Sequence, residues 1–313
     1  MRQLNYIIGR LVQIIPVAFF ITILIFVMVH LLPGDPVLRI LGDKATEEKI
    51  AVLRHSMGLD RPLLTQYVLF LRRLVTGDLG DSLIFRVPTA QLLVNRVPVT
   101  LMLTVLSTAF SILISFPMGY FAALHKDRAF DQATRVWTMV AMAMPGFWIA
   151  MLLLLVFGLR LRWFPVGGYG NTWMEHVHSL ILPAFSQALG LSALWTRNLR
   201  NNVVDVLRMD YVAFARSKGL REDVVMTRHV LRNALISTLT LVAISFTKML
   251  GGSVITETVF ALPGIGYLMV NSIFGRDYQV VQAITLIFAL LVMVMNLVVD
   301  VGYSFLDPRV KLD

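Results

Sequence analysis

The sequence predicts an all-α membrane protein with six transmembrane helices and both termini on the cytoplasmic side. Three observations carry this. Hydrophobic residues make up 57% of the 313 and the mean hydropathy is +0.73, against roughly 45–50% apolar residues in a soluble globular chain. Six windows reach or approach the ~20 apolar residues that a helix needs to cross a ~30 Å hydrocarbon core. The short connections between them carry Lys and Arg mainly on one side of the membrane.

The first window covers residues 7–32. Residues 11–34 contain no Asp, Glu, Lys or Arg, a stretch longer than the ~7–15-residue apolar region of a signal peptide. It is therefore expected to be retained as the first helix, although Arg2 and Arg10 precede it. The other windows are 97–124, 136–159, 179–196, 234–256 and 280–305. The fourth is short and contains Ser186 and Gln187, so it is placed inside the bundle, where its backbone is satisfied internally. Pro16, Pro117, Pro145 and Pro183 lie in or beside these windows and predict helices that are not all straight rods.

Orientation follows from charge. Residues 125–135 carry Lys126, Arg128 and Arg135, residues 197–233 carry eight Lys or Arg, and the tail carries Arg309 and Lys311. The opposing segments 160–178 and 257–277 carry only Arg160, Arg162 and Arg276. The richer side is expected to be cytoplasmic. The net charge of +9 then reflects loops facing anionic membrane lipid rather than nucleic acid. The absence of cysteine excludes disulfides, thiolate metal sites and Cys nucleophiles.

Residues 33–96 read as a small helical extracytoplasmic insert between the first two spans. Thr46 is a suitable N-cap, with Glu47 and Glu48 in the first turn of a helix over 47–55. Residues 57–62, Met-Gly-Leu-Asp-Arg-Pro, read as its stop. A second amphipathic helix is expected over 63–75, followed by the turn-rich run Gly77-Asp78-Leu79-Gly80-Asp81-Ser82. The chain thus divides into 1–32 (N-terminal segment and first span), 33–96 (insert) and 97–313 (core with spans two to six).

The most informative segment is the cytoplasmic loop 197–233. Val204, Leu207, Tyr211 and Phe214 recur at helical spacing, which predicts one amphipathic helix running to Lys218-Gly219, where Gly suits a left-handed stop. Glu222 and Asp223 then suit the first turn of a second helix leading into the fifth span. A helix–break–helix at the membrane face can transmit force where a floppy linker cannot. An interfacial helix held by anionic lipid is the alternative.

The residues of this loop are specific. Asp210, Tyr211, Ala213, Phe214, Ala215, Arg216, Lys218, Gly219 and Leu220, followed by Arg228, His229, Leu231, Arg232 and Asn233, resemble the ATPase-coupling loop of binding-protein-dependent ABC importer permeases. The nearest likeness is the peptide/nickel/opine branch. The same branch is resembled by 31–36 (Leu-Leu-Pro-Gly-Asp-Pro), 59–62, 77–82, Gly251-Gly252-Ser253-Val254, Glu257-Thr258-Val259-Phe260, Pro263-Gly264-Ile265-Gly266, Arg276-Asp277-Tyr278, 296–300 and Asp307-Pro308-Arg309. The loop departs from the general importer motif: Ala213 and Phe214 stand where Glu and the first Ala would be, and of the later Ile-x-Leu-Pro element, which falls on His229, Leu231 and Arg232, only Leu231 agrees.

The resemblance implies a type I ABC importer permease fold in a bacterial cytoplasmic membrane and a transport role without catalysis. It also implies partners: a second homologous permease (identical or not), two ATP-binding subunits docked on the loop, and an extracytoplasmic substrate-binding protein. Peptides are the first cargo implied, with nickel complexes, opines or glutathione as alternatives. The chain has no Gly-x-x-x-x-Gly-Lys-Ser/Thr phosphate loop, so ATP and Mg belong on the partner chains and no cofactor or metal on this one.

Lys248, Ser253, Glu257 and Asn296 are the candidate translocation-path residues. An ammonium in mid-span defaults to a pathway or a pairing role, so Lys248 lines the path or meets a structural partner such as a carbonyl. Glu257 lies ~13 Å further along the helix and is not that partner. Asn296 and Asp300 share one face of the sixth span, with Asp300 read as structural. His176 and His178 lack a third ligand and predict no metal site. The stretch 163–170, rich in aromatics and Gly, reads as an interface anchor or a binding-protein contact. A membrane-embedded enzyme would need a catalytic constellation that isolated His30 does not supply. A stand-alone channel or secondary transporter leaves the cytoplasmic loop unexplained.

Overall fold

The computed structural model describes residues 2–31, 37, 41, 45–56 and 58–306. The motif residues 32–36, the tail motif 307–309 and the side chain of Asp300 lie outside the described residues. In order, the helices are α1 (Arg2–Leu31), α2 (Glu47–Ser56), α3 (Leu63–Val75), α4 (Thr89–Leu124), α5 (Ala129–Ala143), α6 (Gly146–Leu153, continued by a π-helical stretch Leu154–Arg160), α7 (Trp173–Leu207), α8 (Asp210–Ser217), α9 (Glu222–Val224, continued by a π-helical stretch Val225–Leu231), α10 (Arg232–Val259), α11 (Ile265–Gly275) and α12 (Tyr278–Leu306). Backbone packing separates two units: Met1–Pro98 with Leu268–Val294, and Val99–Tyr267 with Met295–Asp313.

In the first unit, the helices expected over 47–55 and 63–75 form as α2 and α3. The Lys49 amide donates to Thr46 Oγ1 at 3.4 Å, so the expected cap is in place. α3 lies against α1 through an aromatic cluster of Phe19, Phe26, Tyr67 and Phe70. Two polar bridges join the same pair, Thr22 to Tyr67 at 2.8 Å and His30 to Gln66 at 3.1 Å. The turn-rich run 77–82 folds against the start of α12: Ser82 Oγ donates to Asp277 Oδ2 at 2.6 Å and the Ile84 amide to the same oxygen at 3.2 Å. Asp277 is fully buried. Two motifs that the sequence holds 195 residues apart thus form one knot.

In the second unit, α7 is the central helix, with α5, α6 and α10 packed on it. α4 meets it through a stripe of small polar residues. Thr100, Thr104, Ser107, Ser111 and Ser115 are fully buried, and Thr104, Ser107 and Ser111 donate to carbonyls one turn back. Small residues let membrane helices approach where apolar burial gives no net drive. At Gly119 the approach is tight: a Cβ there would stand 2.9 Å from the Thr196 carbonyl oxygen. α7 and α10 are also joined by polar links, Trp195 Nε1 to Ser245 Oγ at 3.2 Å and Thr238 Oγ1 to Asn198 Oδ1 at 3.1 Å.

The span count differs from the expectation of six. Among the described residues, four helical stretches are long and apolar enough to cross: α4, α7, Glu222–Met249 and Tyr278–Val298. A fifth arises if α5 and α6 count as one span, but they meet at 100°. The third window, 136–159, is therefore not a straight rod. Met144 and Pro145 are extended between the helices, because Pro145 has no amide hydrogen and biases the residue before it away from helix. The first window falls on α1, which is 30 residues long and includes the apolar stretch Val12–Met28. The fourth is longer than expected: α7 starts at Trp173, not at 179.

Candidate functional site

The loop after α7 is more broken than its periodicity predicts. The single helix expected from Val204 to Lys218 is two. α7 ends at Leu207, Met209 is extended, and α8 starts at Asp210. The apolar spacing of Val204, Leu207, Tyr211 and Phe214 continues across the break by coincidence of phase. The buried face of α8 is instead Val212 and Ala215, packed with Leu199, Val203, Val204, Val225, Met226, Val230 and Ala234. Tyr211 and Phe214 point outward, 42% and 59% exposed.

Gly219 stands at φ +75° with nothing within 4 Å of the position a Cβ would take. The glycine is needed for the left-handed turn and not for space. Across that turn Arg216 Nη2 meets Glu222 Oε1 at 2.6 Å, and its Nε meets Oε2 at 3.1 Å. The carboxylate of Glu222 holds the Arg216 pKa above its ordinary value. Both groups are largely exposed, so the fork fixes the angle between α8 and α9 more than it stabilises the fold. Asn233 Nδ2 donates to the His229 carbonyl at 2.7 Å and to the Tyr211 hydroxyl at 3.2 Å, tying α8 to the base of α10. Lys218 Nζ lies 4.5 Å from the Phe214 ring centroid. Asp210, Ala213, Leu220, Arg228, Leu231 and Arg232 complete this hinged block, in which Leu220 is 41% exposed.

A second feature is a cavity of about 550 Å³ between α5, α6, α7 and α10, lined mainly by Met, Leu, Ile and Phe side chains. Its polar lining is Ser186, Gln187, Ser245, Lys248 and Thr256. Of the four residues expected on a translocation path, Lys248 alone lines it. Ser253 and Glu257 are fully buried. Glu257 Oε1 accepts from Thr100 Oγ1 at 2.7 Å and Oε2 from the Tyr267 amide at 2.9 Å, while Thr100 Oγ1 accepts from the Ile265 amide at 2.9 Å. The carboxylate thus joins the end of α10, the start of α11 and α4. Asn296 is exposed and accepts from Thr247 at 3.4 Å.

A third cluster was not singled out by sequence reasoning. Asp131 is fully buried at the start of α5 and receives Arg200 Nε and Nη2 at 3.0 and 2.7 Å, Arg135 Nη2 at 2.7 Å and the Asp127 amide at 2.9 Å. Its i, i+4 relation to Arg135 was readable, its link to Arg200 was not. The capping box at Thr172 and Glu175 was also readable as Thr-x-x-Glu. His176 and His178 bond the carbonyls of Tyr169 and Trp163 at 2.7 and 3.0 Å and so pin the loop 163–169 onto α7.

Comparison with known proteins agrees in family. The family described as "Binding-protein-dependent transport system inner membrane component" matches residues 115–312, and its N-terminal counterpart, "Binding-prot-dependent transport system membrane comp, N-term", matches residues 3–104. The "Oligopeptide transport system permease protein AppB" of Bacillus subtilis (strain 168) is 38% identical over 312 residues, covering 98% of this chain and 99% of that protein. The "Glutathione transport system permease protein GsiC" of Escherichia coli (strain K12) is 38% identical over 309 residues, covering 99% of each. In fold, the chain is similar to a solved inward-facing MetNI methionine ABC transporter, with TM-score 0.58, 16% identity and coverage of 69% of this chain and 97% of that one. A crystal structure of an amino acid ABC transporter with histidines aligns at TM-score 0.53 and 18% identity, covering 69% and 94%. The chain is a multi-pass membrane protein of bacterial inner-membrane type whose role is transport rather than catalysis, and it belongs to the family of binding-protein-dependent transport system inner membrane components.

Proposed function

We propose that the chain forms half of the translocation pathway of an ATP-driven importer for di- and oligopeptides, pairing with a second, homologous permease. Two ATP-binding subunits carry ATP and Mg and dock on the loop 197–233. An extracytoplasmic binding protein delivers the cargo. In this reading the chain has six spans with both termini cytoplasmic, counting α1 as the first and the bent α5–α6 pair as the third. Residues 33–96 form the extracytoplasmic insert, and 97–313 the permease core.

The observation that carries the proposal is the hinged block. Exposed Tyr211 and Phe214 sit on a helix whose other face is locked into the base of α10, so a push on the aromatics moves a transmembrane helix. Peptide cargo is supported by the names of the relatives, among which glutathione is the second reading. Glu222, held in its fork by Arg216, supplies an acidic group beside the hinge although the motif's usual Glu is replaced by Ala213.

Gly219→Val tests the coupling role. Left-handed backbone costs a β-branched residue about 1–2 kcal/mol, which shifts the hinge without emptying any core. The expected result is a complex that still assembles in the membrane and hydrolyses ATP, with peptide uptake reduced at least tenfold. Uptake coupled to hydrolysis as in the parent would overturn the docking role. Purification of the parent chain from its native membrane is expected to bring down ATP-binding subunits. Isolation as a fully active single species would overturn the importer reading.

A further inference from the structure

The cavity between α5, α6, α7 and α10 carries a charge that the rest of the fold does not use. Lys248 lines it near the middle of α10 and has no ion-pair partner among the described residues, and no Asp or Glu lines the space. Lys248 is exposed to this space, and an ammonium at membrane depth without a counter-ion is unfavourable, which points to a partner from outside this chain. Gln187, on the facing helix, also lines the space. Its Oε1 accepts from Ser107 at 3.0 Å, while its buried Nε2 has no acceptor. Lys248 thus borders a cavity whose other polar groups, Ser186, Gln187, Ser245 and Thr256, are all uncharged. The volume of about 550 Å³ lies within the range of small-molecule sites, and most of the wall is flexible Met and Leu, which accommodates varied apolar groups.

We propose that this cavity is a way-station for the carboxylate end of the cargo, with Lys248 as the charge partner and the uncharged Gln187 in the same wall. The inference rests on the transport role proposed above and adds the chemical group that is recognised. The site has no acid for an amino terminus. It reads the acidic end and leaves the rest of the molecule to apolar contact.

The test uses the complete complex with its partner permease and ATP-binding subunits in lipid nanodiscs. Acetic anhydride modifies accessible lysines, and peptide mass spectrometry reads Lys248. Lys248 is expected to be reactive in the unliganded complex and to be protected severalfold by trialanine or glutathione, but not by trialanine amide. Lys248 unreactive without ligand would overturn the proposal and assign the ammonium to an acid of the second permease. So would equal modification with the acids and without them, or equal protection by acid and amide.

Uptake in proteoliposomes is a separate arm. Lys248→Met, once shown by gel filtration to assemble, is expected to lower trialanine uptake about tenfold, the scale of one lost charged hydrogen bond, while Lys248→Arg retains most of it. Uptake by Lys248→Met equal to the parent overturns the site. Absence of trialanine uptake by the parent complex overturns peptide cargo instead, and the protection by glutathione then decides Lys248.

Discussion

Asp131 is a fully buried carboxylate that accepts from four donor groups, on Arg200, Arg135 and the Asp127 backbone. Removing a partner from a buried pair costs about 3–5 kcal/mol, because the remaining charge is stranded. Arg200→Met is expected to lower stability toward the small end of that range, since Arg135 stays, and to appear as a lower thermal unfolding midpoint in detergent. Arg200→Lys should recover part of the loss, because an ammonium keeps the charge but not the two-pronged fork. The same reasoning applies at Thr100, whose hydroxyl donates to Glu257 and accepts from the Ile265 amide. Thr100→Val should cost about 2 kcal/mol and Thr100→Ser much less, measured the same way. Lys248 was legible at this scale because a lone charge in an apolar run is conspicuous. The setting of Glu257 was not, because its partner is 157 residues away and no local pattern points to a hydroxyl in another helix.

At the scale of elements, tight approach matters more than hydrophobicity. Gly119 lets α4 come against the Thr196 carbonyl of α7, and Gly119→Val is expected to cost about 1–3 kcal/mol by overpacking, read as reduced yield of folded complex and a lower unfolding midpoint. The insert helices α2 and α3 were legible because Thr46, the acidic first turn and the stop at 57–62 are all local signals. The bend between α5 and α6 was legible as a kink at Pro145, but its 100° angle depends on what packs on each half. The start of α7 was missed because Thr172 to His178 reads as a polar loop, although Thr172 and Glu175 spell the cap. The break at Arg208–Met209 was missed because helical periodicity persists through it. Only the burial of Val212 and Ala215 distinguishes the two arrangements.

For the whole molecule, the exposed apolar surface decides what else must be present. α5 and α6 expose Val136, Met139, Val140, Phe147, Trp148 and Met151, an apolar surface that lipid or a second permease covers in the membrane. The loop is different, for its exposed Tyr211 and Phe214 sit among Arg and Lys. Large aromatics in such settings are the usual anchors of protein contacts. The substitution Phe214→Ala is expected to leave the chain folded, since this side chain is 59% exposed, and to reduce recovery of the ATP-binding subunits on purification roughly tenfold. Recovery at the parent level would place the docking contact elsewhere.

The carboxylate of Glu257 also has a bearing on how the chain is made. Synthesis is vectorial, so α4 leaves the ribosome long before α10. Thr100 is therefore made before its acceptor, and the same order holds for Ser82 and Asp277. In both cases the donor is made early and the acid late. A chain that has lost the earlier segment would therefore leave the later-made acid without its hydroxyl donor.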